Sequence, residues 1–344
     1  MHARDQKADF VGSRKDSLTQ GGSRQQSLCK RRIIWTPFEP SRLNFVELSV
    51  RKAVLLIIIS SIVAWAQTSP LSPEQRATFH GRQSEAIEPF HIVGNIYYVG
   101  ARNIASYLIT TPEGHIMIDT GTKEMHDVVR ANVAKLGFKL QEIKILLSGH
   151  AHFDHVQGHA AMKKATGAKV MAIGEDARAL SAGADLSPLG DEGWDPVKVD
   201  RVLKDGDTVT LGGTTLRAVW TPGHTPGCTT WTTRTEEKGR AYSIVFQACG
   251  GPNAGVKLIG NTKFPKLVED TLRTFQTQKA LKPDIYLPMH PESYFAGKVD
   301  RIKVGETPHP LLDPNAYAKL IADTETNFQK RLQEERAKAS TSGK

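Results

Sequence analysis

The chain has 344 residues, 39% hydrophobic and 24% charged, with 12 histidines, 3 cysteines and a formal net charge of +9. That composition is ordinary for a globular protein and long enough for one large core or two small ones. The charge resembles a nucleic-acid signature, but residues 1–66 hold 11 Lys/Arg against 5 Asp/Glu, which leaves 34 against 31 over residues 67–344. No basic stripe remains, and a nucleic-acid partner is excluded.

Residues 1–49 are polar and weakly periodic, with Cys29 in no recognisable setting. They fit poorly in front of a signal peptide and read either as a disordered extension or as a start assigned too far upstream; no Met lies between Met1 and Met117, so that start would be a non-Met codon near Leu48 or Val50. Residues 50–66 read as a signal peptide. Arg51 and Lys52 precede an apolar run from Ala53 to Ala64, and Ala64-Trp65-Ala66 forms a small-residue cleavage site. The run is short for a bilayer span. The expectation is a mature chain from Gln67, periplasmic or secreted, with no stable membrane anchor after cleavage and residues 67–344 in a single domain. An uncleaved anchor is the competing reading.

Residues 67–89 read as an arm. Short strands follow at 90–93, 96–99, 105–110 and 115–118, separated by turn signals at Gly94-Asn95 and Pro112-Glu113-Gly114. A helix over 123–136 closes at Gly137, and the apolar run 143–147 is a buried strand. Beyond it come a helix (157–166), a strand (169–172), a short helix (175–181) and a Gly/Pro/Asp loop (183–196) holding Trp194. A second set of strands runs 201–204, 208–211, 214–220, 229–233 and 241–247. A helix (266–281), a strand (284–287) and a long helix (314–338) complete the chain. Strands followed by helices, twice over, predict an α/β fold: two mixed β-sheets face to face with helices outside, a four-layer αββα sandwich. Loops at the strand ends would then meet in one edge groove.

The chemistry concentrates after the strand 143–147. Gly149-His150-Ala151-His152-Phe153-Asp154-His155 places three histidines and an aspartate within six residues. Alternate residues of an extended chain face the same way, so His150, His152 and Asp154 converge and His155 turns away. Four donors on so short a segment would crowd one ion, and two adjacent ions are the more natural arrangement. A polar, His-rich loop is the alternative. His224 sits between two Pro-Gly steps in Thr221-Pro222-Gly223-His224-Thr225-Pro226-Gly227, a rigid loop that aims a side chain at low entropic cost. His290 ends Leu287-Pro288-Met289-His290 after a strand. Of the remaining histidines, His159, one helical turn after His155, reads as solvent-facing on its helix, with a place behind the ligands as the alternative; His115 reads as a turn residue, His126 as helix surface and His309 as loop. His80 and His91 have no motif around them. Ser148 lacks a dedicated base and reads as structural. Asp119 either accepts a hydrogen bond from a ligand imidazole or caps the next helix.

The set His150-x-His152-x-Asp154-His155, His224 in Gly-His-Thr-Pro-Gly and His290 after a strand resembles the metallo-β-lactamase superfamily over nearly all of residues 88–338. Through Thr221–Trp231 and Ile145–Gly158 it is most similar to the zinc β-lactamases of the third subclass. The resemblance implies two Zn2+ ions, one held by His150, His152 and His224, the other by Asp154, His155 and His290. It implies a hydrolase that opens the β-lactam ring of a small-molecule antibiotic with a metal-bound hydroxide oriented by Asp154. Nothing suggests a dedicated interface, so a monomer is expected. His-rich sites suit zinc, although iron or cobalt can occupy them in vitro.

Lactone and thioester hydrolases of the superfamily, the alternative activity, carry a bridging aspartate on the strand after the Gly-His-Thr loop. Here that stretch is Val245-Phe246-Gln247-Ala248-Cys249-Gly250, without an aspartate. A cysteine near this place binds zinc in the first lactamase subclass. In the third subclass a disulfide is known, and the resemblance implies a Cys228–Cys249 bridge, with Cys249 as thiolate ligand the competing reading. Some relatives contact the substrate carboxylate through serines where this chain has Gly250, Gly251 and Pro252, with Asn253 the nearest polar side chain. Substrate contacts and the ranking among β-lactams stay open on that account.

Overall fold

The computed structural model describes residue 78 and residues 81–190 and 192–342. The expectations for residues 1–66, and for His80, lie outside the described residues.

Among the described residues, twelve strands form two sheets. The first holds β1 (Phe90–Val93), β2 (Ile96–Tyr98), β3 (Tyr107–Thr111), β4 (Gly114–Ile118), β5 (Ile143–Leu147), β6 (Lys169–Ile173) and β7 (Arg201–Leu203), in sequence order. The strands β1 to β4 are antiparallel, and β4 to β7 are parallel. Parallel neighbours need long crossovers, and helices supply them: α1 (Met125–Lys135), α2 (Phe153–Val156), α3 (His159–Thr166) and α4 (Gly174–Ala182). The second sheet runs β12-β11-β10-β9-β8, built from β8 (Thr208–Leu211), β9 (Thr214–Trp220), β10 (Thr229–Glu237), β11 (Arg240–Gln247) and β12 (Ile285–Pro288). Its first four strands are antiparallel, and β12 lies parallel to β11 after a crossover through α5 (Leu267–Ala280). Lys238 and Gly239 both take positive φ in the β10–β11 turn, the backbone that matches a two-residue hairpin to strand twist.

The period-2 pattern shows how the layers assemble. Tyr107 and Ile109, Ile116 and Ile118, and Ile145 and Leu147 enter the core between the sheets, where they join Trp231, Phe246 and Leu287. The residues between them, Leu108, Met117 and Leu146, face the other way and pack with Val129, Val133, Met162 and Leu180 of the helices. A third cluster joins Val245 to Leu267 and Phe275 of α5 and to Tyr317, Ile321 and Phe328 of the C-terminal helix, whose range is Pro314–Ser342. Strands apolar on both faces are those of sheets covered on both sides. The expected four-layer sandwich is the observed fold.

Three details differ from the sequence reading. The strand at Arg201–Leu203 belongs to the first sheet, paired parallel to β6 through Met171↔Arg201. It is the strand that α4 returns to, so its partner is set by the crossover rather than by the hairpins that follow. The helix expected over 157–166 is α3, beginning at His159, and a separate turn of helix, α2, precedes it, with Gly158 between them. A Cβ on Gly158 would lie 2.9 Å from Thr120, so the chain turns there against the end of β4. Two short helices, α6 (Glu292–Phe295) and α7 (Val299–Lys303), precede the long C-terminal helix, α8 (Pro314–Ser342).

Candidate metal centre

The carboxyl ends of β4, β5, β9, β11 and β12 contribute the loops of one groove. At its floor, Gly149 leaves β5 with its N–H donated to Asp119 Oδ1 (2.7 Å) and its carbonyl accepting from Thr229 N (2.8 Å). A Cβ here would meet Ala248 Cβ at 2.9 Å and Asp119 Oδ2 at 3.3 Å, so only glycine fits. Trp231 Nε1 donates to the Ser148 carbonyl (3.0 Å), which gives Ser148 a structural place. Asp119 itself sits at φ +60°, a region aspartate tolerates better than most residues.

His152 is the last extended residue, at φ −114° and ψ 157°, and α2 begins immediately after it. Strand alternation therefore stops before Asp154 and His155. The expectation that His155 turns away is overturned: the helical turn brings its ring to 4.1 Å from that of His150.

The structure draws the six sequence-derived candidates together. Ring centroids of His150, His152 and His224 lie 4.5 to 4.8 Å apart, and their nitrogens fall within 4.8 Å of one another. His155 Nε2 lies 3.3 Å from His290 Nε2, and Asp154 Oδ2 lies 3.5 Å from the first and 3.6 Å from the second. Ligand atoms placed tetrahedrally at zinc distances stand about 3.3 Å apart, so this second triangle has the spacing of a ligand set.

The outer nitrogens are assigned by their partners. Carbonyl and carboxylate oxygens only accept, so Nδ1–H donates from His155 to Asp119 Oδ2 (2.9 Å), from His224 to the Gly251 carbonyl (2.9 Å) and from His290 to the Asn103 carbonyl (3.0 Å). Each leaves Nε2 facing the groove. His152 uses Nε2 for Ser187 Oγ (3.0 Å), with Asp185 Oδ2 3.9 Å away, which leaves Nδ1. His150 is buried with neither nitrogen hydrogen-bonded. An unpartnered buried imidazole is costly in an apolar core, and it is what a cation among these side chains would satisfy. The donor set, His-rich with one carboxylate, suits zinc.

Burial, reinforced by the neighbouring imidazoles, pulls His150 well below the ordinary histidine range. Burial takes His152 to about 4 against the pull of Asp154, and takes His224 to about 3. Burial and His155 lower His290 as well. Burial raises Asp154, but the surrounding histidines outweigh it and hold the carboxyl below its usual value. His155 alone goes up: burial lowers it, but Asp154 and Asp119 prevail. At neutral pH His150, His152, His224 and His290 thus offer neutral imidazoles and Asp154 an ionised carboxylate, the protonation states that metal binding requires, while His155 has a proton to give up to an incoming cation.

Cys228 and Cys249 form a disulfide, with Cα atoms 6.5 Å apart, beside His150. Neither sulfur is a free thiolate, which disposes of Cys249 as a ligand in the oxidised chain. Ala248 stands against Gly149 at the floor of the groove. The loop after it is pinned by Arg331 of α8, whose Nη1 donates to the carbonyls of Pro252 (3.1 Å) and Asn253 (2.8 Å).

Several residues escaped the sequence reading. His159, expected on the surface, is fully buried at the start of α3, with Nδ1 2.8 Å from Thr120 Oγ1. The break at Gly158 turns it inward. His115, expected in a turn, is a buried residue of β4 packed edge-on against Phe138. Asp176, Asp185 and Ser187 carry no motif. Asp176 reads in sequence as an ordinary acid in a helix's first turn, yet it accepts hydrogen bonds from two of the three ligand-bearing loops.

Residues 99–290 match the Metallo-beta-lactamase superfamily, more than half of the chain. The chain belongs to the metallo-β-lactamase superfamily. Among solved structures of this superfamily, it is similar to the native FEZ-1 metallo-β-lactamase from Legionella gormanii, with 36% identity, TM-score 0.71, and coverage of 74% of this chain and 98% of that one. BJP-1, a subclass B3 metallo-β-lactamase of Bradyrhizobium japonicum, is 37% identical with TM-score 0.70, covering 75% of this chain and 98% of BJP-1. GOB-18 from Elizabethkingia meningoseptica is 30% identical with TM-score 0.69, covering 77% of this chain and 97% of GOB-18. Among curated proteins, a probable metallo-hydrolase of Burkholderia pseudomallei (strain 1710b) is 37% identical over 107 residues, 30% of this chain and 35% of that protein. A hydroxyacylglutathione hydrolase of Hyphomonas neptunium is 32% identical over 121 residues, 35% of this chain and 40% of that protein. The chain thus spans well under half the length of these two curated relatives.

Proposed function

We propose that this metallo-hydrolase is a di-zinc β-lactamase, in which His150, His152 and His224 hold one ion and Asp154, His155 and His290 the other. One observation carries the reading: the likeness to subclass B3 metallo-β-lactamases extends over 98% of the BJP-1 chain at 37% identity. The oxidised cysteine pair supports an oxidising compartment, consistent with a periplasmic or secreted enzyme. Among the described residues no helix is long and apolar enough to cross a membrane.

Two bound zinc ions supply Lewis acidity, lowering the pKa of water from about 15.7 to about 7 and polarising a carbonyl. The chain's own residues do the rest. Asp119 holds the His155 ring in one tautomer, Gly251 does so for His224 and Asn103 for His290. Asp154 keeps Oδ2 between His155 and His290; its other oxygen accepts a hydrogen bond from the attacking water and orients it. The buried floor of Gly149, Ala248 and the disulfide excludes bulk water from beneath the ring that opens. The proton reaches the departing amide nitrogen from solvent through the open mouth at His290, whose side chain is 45% exposed.

The purified protein is expected to hydrolyse a chromogenic cephalosporin, to lose that activity on chelation and to regain it with zinc. Undiminished hydrolysis after exhaustive chelation would sink the metal mechanism. A second reading, a glutathione thioester hydrolase, draws on the curated relatives named hydroxyacylglutathione hydrolases. Against it stand their limited coverage of length and the absence of an aspartate from the stretch 245–250. Turnover of a glutathione thioester or an acyl-homoserine lactone, with β-lactams left intact, would establish it instead.

A further inference from the structure

The helix α4 starts directly after β6, and its first turn carries Asp176, 2% exposed. The carboxylate faces two loops that have no chain connection to each other near this point. Its Oδ2 accepts from Ala151 N at 2.9 Å and from Thr225 Oγ1 at 2.7 Å. Its Oδ1 accepts from Gly227 N at 2.8 Å. Ala151 lies between His150 and His152, and Thr225 follows His224 directly. The contact is close: a Cβ on Gly227 would lie 2.5 Å from Asp176 N and 2.6 Å from Asp176 Cβ.

We propose that Asp176 is a positioning residue that clamps the His150–His152 loop to the His224 loop, so that these three imidazoles stand assembled for their ion. The inference rests on the reading that the trio holds a metal. An ionised carboxylate is an acceptor at both oxygens, and here both are used, one oxygen spanning the two loops and the other securing the far side of the His224 loop. No other common side chain of that size can do this. Asparagine has the same shape but one NH2 group. Placed toward Ala151 N, that NH2 sets donor against donor; flipped, it does the same to Gly227 N. The first placement frees the His150–His152 loop and the second loosens the far side of the His224 loop; either way a buried backbone N–H loses its acceptor. Asp119 acts on His155 and so on the other three ligands; the two carboxylates divide the centre between them.

The test uses the full-length protein, stripped of metal and titrated with cobalt(II) as the optical probe and with zinc against a competing chelator. Its His224→Ala variant serves to assign the bands of the trio. In Asp176→Asn, affinity at the trio is expected to fall about 10- to 100-fold, the range typical when a partner behind a ligand is lost, with a smaller change at Asp154, His155 and His290. Thr225→Val, which removes one of three donors and keeps the shape, is expected to show a smaller loss at the same ion; it carries the test if Asp176→Asn does not fold. Ile321→Ala, in the core beneath α8, controls for general destabilisation and is expected to leave both affinities alone. Wild-type affinities in Asp176→Asn and Thr225→Val, with only the melting temperature lowered, would reduce Asp176 to a structural brace and overturn the proposal. Failure of the wild-type protein to bind an ion at His150, His152 and His224 would instead bring down the metal reading, and the proposal with it.

Discussion

Asp119 shows how much one buried side chain can decide. It is fully buried, and its two oxygens take the Gly149 N–H and the His155 Nδ1–H. The first bond holds the floor of the groove; the second fixes the tautomer of a ligand. Asparagine can serve one of these donors but not both. Asp119→Asn is therefore expected to weaken the ion at His155 by about 10- to 100-fold, read as a zinc dissociation constant against a chelator. A value matching the wild type would mean that His155 is oriented by packing alone. In the sequence, Asp119 stood evenly between this role and a helix cap. Only its distance to His155, 36 positions away in the chain, separates the two.

At the scale of elements, the hairpin of β10 and β11 ties the second sheet to the site. The Cys228–Cys249 bridge closes its open end over a separation of 21 residues. Closing a loop of that size stabilises by about 3 kcal/mol in the chain-entropy account. A Cys228→Ser/Cys249→Ser double variant is expected to lose that amount, a fall of roughly 6–12 °C in melting temperature for a domain this large. Calorimetry on the zinc-loaded protein checks it, and an unchanged transition would show that the surrounding core, not the bridge, holds the hairpin. The break between α2 and α3 works at the same scale. Gly158 packs on Thr120 there, and His159, just past it, lies in the interior. A helical period read through residues 157–166 has no means of registering that contact.

For the whole molecule, the buried imidazoles couple folding to pH. His150, His152 and His224 are held below their unfolded value of 6.5, the last two at about 4 and about 3. Below pH 6.5 the unfolded chain takes up protons on these groups and the folded chain does not, so metal-free stability falls as pH drops through that window. His155, held up by Asp154 and Asp119, works in the opposite direction, but above pH 6.5, where the folded chain binds its proton before the unfolded one. The melting temperature of chelator-treated protein is thus expected to decline between about pH 6.5 and about pH 4, and less steeply in His224→Asn, which lacks one of the three. Identical slopes in the two proteins would show that other groups govern the acid limb.

The sequence by itself determined the strand pattern of both sheets, apolar in alternation on two faces, and the clustering of donors at the ends of β5, β9 and β12. Both are local properties: a side chain's period along the chain, and six residues of one loop, need no distant partner to be read. The tertiary structure alone decided that β7 joins the first sheet, that His155 turns back toward His150, and that Asp176 spans two loops. Each of these depends on groups brought within hydrogen-bond or van der Waals reach only after the sheets have closed on each other, and the donors to Asp176 lie 25 to 51 positions away along the chain. A linear pattern carries no distance across such a gap.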